Sequence, residues 1–343
     1  MNLTIRGIGC LAVALACAVC GMAGAADLAI QSFNGTGQLT FNTLNTDTNY
    51  TYRVEWASTP AGPWNNSWDV LAAIQAPGSG IVTCSVPMCY RVVASLTPAA
   101  MVQIPAGTNS GIDQFGEYSL TVTAFLMDAT EVTKALWDSV YTWAIMNGYE
   151  FDNAGSGKAW NHPVQMVNWY DCVKWCNARS QKEGRSPCYT LNGNVYKTGQ
   201  SSPVCNFAAI GYRLPTMIEW EYAARGGLIG KRFPWGDLID HGMANYFGYP
   251  VFPYDLGYEG LDTRFSIGDI PYTSPAGTFP ANGYGLYDMA GNVWEWCWDS
   301  SDEYRYIHDG SWADDSEFAC CGRRGNWNYP FNAGFGGFRP VRR

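Results

Sequence analysis

Everything beyond residue 228 is rich in Gly, Asn, Pro and aromatic residues, and this constrains the fold more than any other feature of the chain. With 38 glycines and 15 tryptophans among 343 residues, it predicts long ordered loops held by aromatic anchors and argues against a helical bundle. Helices are confined to a few segments with clear boundaries. Thr133 can cap a helix carrying Leu136, Trp137, Val140, Tyr141 and Ala144, stopped at Gly148. Asn168 can cap a second, with Cys172, Val173, Cys176 and Arg179 following and Gly184 as the stop. Thr216 and Glu219 have the spacing of a capping box, and Gly226-Gly227 supplies the C-terminal stop of a third. Short helices pinned onto loops and a little sheet make an α+β arrangement. No internal repeat of 20–50 residues is present.

Residues 27–98 read as a separate, small β-rich module. Thr51–Trp56 alternates at period two and Tyr90–Ala94 is a second strand, with turn signals between them. Cys84 and Cys89 are close enough in sequence for a loop-closing disulfide. Residues 99–343 form the main unit.

Residues 1–26 have the layout of a signal peptide: basic Arg6, an apolar run from Cys10 to Cys20 and Ala23-Gly24-Ala25 as a cleavage site. An exported protein of the periplasm, cell envelope or extracellular space is expected. After that segment no stretch approaches the roughly 18–20 apolar residues of a membrane span. The net charge of −9 has the wrong sign for tracking phosphates, which argues against a nucleic-acid partner. Twelve cysteines in an exported chain suggest disulfides. Cys188 and Cys205 flank a hairpin around Asn192-Gly193 and are expected to pair. Cys172 and Cys176, one helical turn apart, are expected in the core or paired with distant partners, and Cys297 is expected to be buried.

Eight motifs then occur in order: Asp128-Ala-Thr-Glu-Val-Thr133, Pro163–Asp171, Gly211–Arg225, Phe233-Pro-Trp-Gly236, Asn282–Asp288, Gly291-Asn-Val-Trp-Glu-Trp296, Gly310-Ser-Trp312 and Gly337-Phe-Arg339. The series resembles the formylglycine-generating enzyme (sulfatase-modifying factor) family over about residues 100–343. The resemblance implies a C-type-lectin-like α+β fold with little regular secondary structure. It also implies bound calcium, with Asp288, Gly291, Val293 and Glu295 at one site and Asn245, Tyr246 and Asp269 at another. The residues support the first site independently, because two carboxylates seven apart on turn backbone suit a cation that takes six to eight oxygens.

Active members of the family are oxidases that convert a cysteine of a sulfatase peptide to formylglycine with molecular oxygen. They use copper held by two cysteines, two and seven residues past the tryptophan of the Gly-Ser-Trp motif. Here those positions hold Asp314 and Ala319. Aspartate is a hard ligand and a poor substitute for thiolate. Cys320 and Cys321 follow directly, but adjacent cysteines do not reproduce a five-residue separation. The three histidines, His162, His241 and His308, have no metal spacing, and no phosphate loop or serine elbow is present. The sequence therefore reads as a family member without the oxidase pair, acting as a binding or scaffold module. Ser311, Trp312, Asp314, Arg324 and Arg339 are its candidate pocket, for a peptide or small ligand. The rival readings are an active copper oxidase working through Cys320 or Cys321, and a structural envelope protein.

Overall fold

The computed structural model describes residues 101–301, 304–328 and 334–343, together with the backbone of short strands in the N-terminal region. The expected signal segment beyond Arg6 and the Cys84–Cys89 bridge lie outside the described residues. The chain divides into two units, Met1–Thr97 and Pro98–Arg343. In the first, Tyr50–Ala57 pairs antiparallel with Cys89–Leu96, so both expected strands are present and adjacent. Ile5–Arg6 pairs with the other edge of Cys89–Leu96, and Ile30–Phe33 pairs with Leu39–Phe41.

The second unit begins with β1 (Met101–Ile104), the hairpin β2 (Gly107–Asp113) and β3 (Gly116–Val122), and β4 (Phe125–Asp128). Later come β5 (Trp294–Ser301), β6 (Tyr304–His308), β7 (Arg324–Asn328), β8 (Gly336–Gly337) and β9 (Val341–Arg342). One sheet has the order β9-β4-β1, which ties the C-terminus to the start of the unit. The other has the order β7-β6-β5-β8, antiparallel except that β8 runs parallel to β5. Much of the rest is turn and loop, so the C-type-lectin-like α+β expectation holds for this unit.

All three expected helices form where their boundary residues place them. In α1 (Lys134–Met146) the Thr133 hydroxyl accepts from Leu136 N, and Gly148 follows at φ +79°. In α2 (Trp169–Lys182) Asn168 and Asp171 form a reciprocal capping box. In α3 (Met217–Ala224) Thr216 and Glu219 do the same. Each box satisfies two orphan backbone N–H groups, a contribution of about 1 kcal/mol.

The main core lies between α1, α2 and β5. Trp137 and Trp175 stack with centroids 6.0 Å apart, and Phe338 meets both edge-on. Buried indoles also pin loops through their N–H groups. Trp137 Nε1 donates to the Ala154 carbonyl at 2.8 Å and Trp169 Nε1 to that of Cys297 at 2.9 Å. This is how a chain with so few regular elements retains fixed loops: each indole buries a large apolar area and spends its single polar atom on backbone far away in sequence. Where Asn245 meets Gly291, the glycine has φ +78° and a Cβ there would stand 2.3 Å from the Asn245 carbonyl oxygen.

The expected Cys188–Cys205 disulfide is not present; both thiols are free. Tyr189, not Cys188, is the strand partner of Cys205, so the two cysteines sit one residue out of register. The short hairpin is held by its backbone pairing and by Asn177, whose side chain bonds both N and O of Tyr189. Cys172, Cys176 and Cys297 are buried, as expected.

Candidate functional site

Glu295, on the β5 residue expected to bind calcium, is fully buried against Arg339. Arg339 Nε donates to both carboxylate oxygens at 3.0 and 3.1 Å, and Nη2 donates to Oε1 at 2.8 Å. Trp220 Nε1 donates to Oε2 at 2.7 Å. The remaining N–H groups of Arg339 reach the carbonyls of Ala129 and Tyr287 at 3.0 Å. Burial works against the Arg339 cation, but Glu295 outweighs it and holds the guanidinium above its ordinary range. Two expectations change here. Arg339 is a buried staple and not a pocket residue, because its donors face carboxylate and backbone. The Glu295 side chain is already committed to Arg339 and Trp220, so it does not fit as a free calcium ligand.

Three further carboxylates are buried close by. Asp288 accepts from Gly277 N through Oδ2, and its Oδ1 has no hydrogen-bond partner. Burial pushes Asp288 up to about 6. Glu131 accepts from Asn292 Nδ2 at 2.9 Å, while its Oε2 is unpartnered. Burial, and then the neighbouring Asp288, push Glu131 well above the usual carboxylate range. Asp309 Oδ1 accepts from Gly291 N at 2.5 Å and Gly310 N at 2.8 Å. Burial, then Glu295, raise it strongly as well. Acid is therefore in excess over the one guanidinium, and the deficit is met by protonation or by a bound cation. Among the described residues no three His, Cys, Asp or Glu side chains converge as metal ligands. A calcium ion here would draw on Asp288, with Glu131 as the acid the sequence reading missed, and on backbone carbonyls. The signal for Glu131 was a second acid in the Asp128-Ala-Thr-Glu-Val-Thr133 motif.

Of the other expected calcium residues, Asn245 and Gly291 meet through a backbone bridge. Asn245 is buried, donating to the Tyr272 carbonyl and Asn292 Oδ1 at 3.0 and 3.3 Å. Asp269 is exposed. The acid that reaches Tyr246 is Asp255, whose Oδ1 accepts from the Tyr246 hydroxyl at 2.5 Å.

At the positions of the family's cysteine pair, Asp314 has become part of a knot. Its Oδ2 accepts from Ser311 Oγ, from Ser311 N at 3.0 Å and from Trp294 Nε1 at 2.8 Å. Ser311 and Asp314 are thus brought together as expected, and Trp312 packs between Tyr272 and Phe335. Ala319 is buried. Cys320 packs with Phe233, Ile239 and Tyr246, and Cys321 with Ile104, Trp220 and Met289, so the adjacent thiols enter separate parts of the core. Burial pushes Cys320 up to about 12 and Cys321 well above the ordinary thiol range. Soft Cu(I) needs thiolates that share a site. These residues do not fit copper.

Arg324 lies apart from this knot. It pairs with Glu221 at 2.9 Å and lines a cleft formed with the β2–β3 hairpin. No helix among the described residues is long and apolar enough to cross a membrane.

The sulfatase-modifying factor enzyme 1-like domain matches residues 91–343. The chaperone protein LppX of Paenibacillus barcinonensis is 34% identical over 197 residues, covering 54% of this chain and 65% of that one. The formylglycine-generating enzyme of Mus musculus is 33% identical over 218 residues, covering 57% of each. The chain thus spans less than two thirds of the length of these relatives. The crystal structure of CarF superimposes with a TM-score of 0.58 and 26% identity, covering 71% of this chain and 98% of that one.

Proposed function

The chain belongs to the sulfatase-modifying factor family, and from that premise we propose that Pro98–Arg343 is an exported binding or scaffold module that has exchanged the family's oxidase chemistry for a structural knot. The observation that carries this reading is Asp314: its carboxylate is consumed by Ser311 and Trp294, and Ala319 offers no second thiol. The Paenibacillus relative is named a chaperone protein, which is compatible with a role in binding. Export rests on the signal-like layout of residues 1–26. The test is to incubate the protein with a Cys-x-Pro-x-Arg peptide, copper, reductant and oxygen, and to follow the peptide by mass. No formylglycine is expected. Turnover that disappears in Cys320→Ser or Cys321→Ser would restore the oxidase reading.

Calcium at Asp288 belongs to the same proposal, supported by the unpartnered Oδ1 of Asp288 and Oε2 of Glu131. An ion bound only by the folded state stabilises it by about 2.7 kcal/mol at one hundred times its dissociation constant. Melting should be higher in calcium than in chelator, and Asp288→Asn should shrink the difference. Identical melts would remove calcium from the account.

A further inference from the structure

A cleft of about 300 Å³ lies between the β2–β3 hairpin and the turn at Gly322–Arg324. Its size falls at the small end of ligand pockets. Arg225 lies behind its wall, stacked over the ring of the lining residue Tyr118 at 3.7 Å. The Arg225 guanidinium is saturated, bonding Asp113 Oδ2 at 2.5 Å, Glu221 Oε1 at 2.7 Å and the Lys231 carbonyl at 3.2 Å. Three charged groups are thereby closed off from a ligand. What the cleft leaves open is different on its two sides.

On the turn side, Arg324 spends one bond on Glu221 Oε2, and its side chain is 44% exposed. Its neighbour Arg323 has a side chain 32% exposed and makes a long 3.4 Å contact to Glu317. On the hairpin side, Glu117 is exposed and forms no ion pair among the described residues. Phe115 lines the same hairpin and is 44% exposed, an apolar surface beside the charges. Positive charge on one side, and negative charge with an aromatic ring on the other, is the complement of a small dipole with an apolar group. A ligand with one charge satisfies one side and leaves the other without a partner. A zwitterion satisfies both.

We propose that this cleft binds a small zwitterionic ligand with an apolar side chain, a free amino acid or dipeptide, with its carboxylate at Arg324 and Arg323, its ammonium at Glu117 and its side chain against Phe115. The site is distinct from the Asp314 knot and stands whether or not that knot is inactive. The test is calorimetric titration of the full chain with leucine, phenylalanine and leucyl-leucine, beside N-acetyl-leucine and leucinamide. At least one zwitterion binds, and blocking either charge weakens it about tenfold or more, as expected for loss of a charge-assisted contact. Glu117→Gln abolishes the preference over the N-acetyl compound, and Arg324→Gln the preference over the amide. Glu117 is at the surface, so its variant keeps the test available if Arg324→Gln fails to fold. No binding of any zwitterion at millimolar concentration, equal affinity for the blocked compounds, or preferences unchanged in Glu117→Gln would each overturn the proposal.

Discussion

Arg339 and Arg324 are both arginines facing a glutamate, yet they sit in opposite kinds of surroundings. Arg339 has no exposed surface and spends its donors on Glu295 and on backbone carbonyls. Arg324 is nearly half exposed and bonds Glu221, an acid already held by Arg225. The first region is a closed network in which removing one member strands another. The second is open, with charge to spare for a ligand. In this fold, therefore, burial and the number of committed donors decide which arginine is structural.

The largest effect that would break this comparison is at Arg339. Arg339→Ala leaves Glu295 buried without its cation and should cost about 3–5 kcal/mol by chemical denaturation, or prevent folding. A loss under about 1 kcal/mol would mean that the network does not hold β5 to the backbone at Ala129 and Tyr287. Next is Asp314→Ala, which strands Trp294 Nε1 and the Ser311 donors. It should lower stability by about 1–3 kcal/mol, and Asp314→Asn by less, since the amide oxygen can still accept. Equal melts for Asp314→Ala and wild type would show the knot to be dispensable.

A smaller effect concerns pH. Burial, and then Arg324, hold His308 down to about 3, and burial holds His162 down to about 4. Both stay neutral in the folded protein while the unfolded chain takes up protons near 6.5. Their contribution is therefore present above about pH 6.5 and lost as pH falls toward the folded values, by about 1.4 kcal/mol per pH unit for each. His308→Phe should flatten the acid limb of a stability–pH profile, and an unchanged slope would place the proton uptake elsewhere. The smallest effect is expected for Arg324→Ala, at about 0–1 kcal/mol, because a half-exposed ion pair is screened by water and Glu221 retains Arg225.

What could be read from the sequence follows from how local each feature is. Thr133, Asn168 and Thr216 announce their helices because a cap is settled within four residues. The pairing of Arg339 with Glu295 spans 44 residues and depends on β8 lying parallel beside β5, which no local pattern encodes. The same holds for Arg324, placed by its strand pairing beside a hairpin more than two hundred residues earlier. Asp269, expected as a calcium ligand, is exposed, and the nearer acid Asp255 is taken by the Tyr246 hydroxyl. Cys188 and Cys205 were misleading because sequence spacing allows a bridge but does not set register. The knot at Asp314 was legible only as a missing thiol; that Ser311 and Trp294 would claim the carboxylate required the fold.

The turn after Trp312 has become structural and no longer offers a pair of soft ligands that share a site. Titration of the reduced, anaerobic protein with Cu(I) against a competing chelator tests this most directly. The account predicts no stoichiometric copper binding by the wild type, and gain of one tight site in the double variant Asp314→Cys with Ala319→Cys. One tightly held Cu(I) in the wild type, lost on Cys320→Ser or Cys321→Ser, would contradict it.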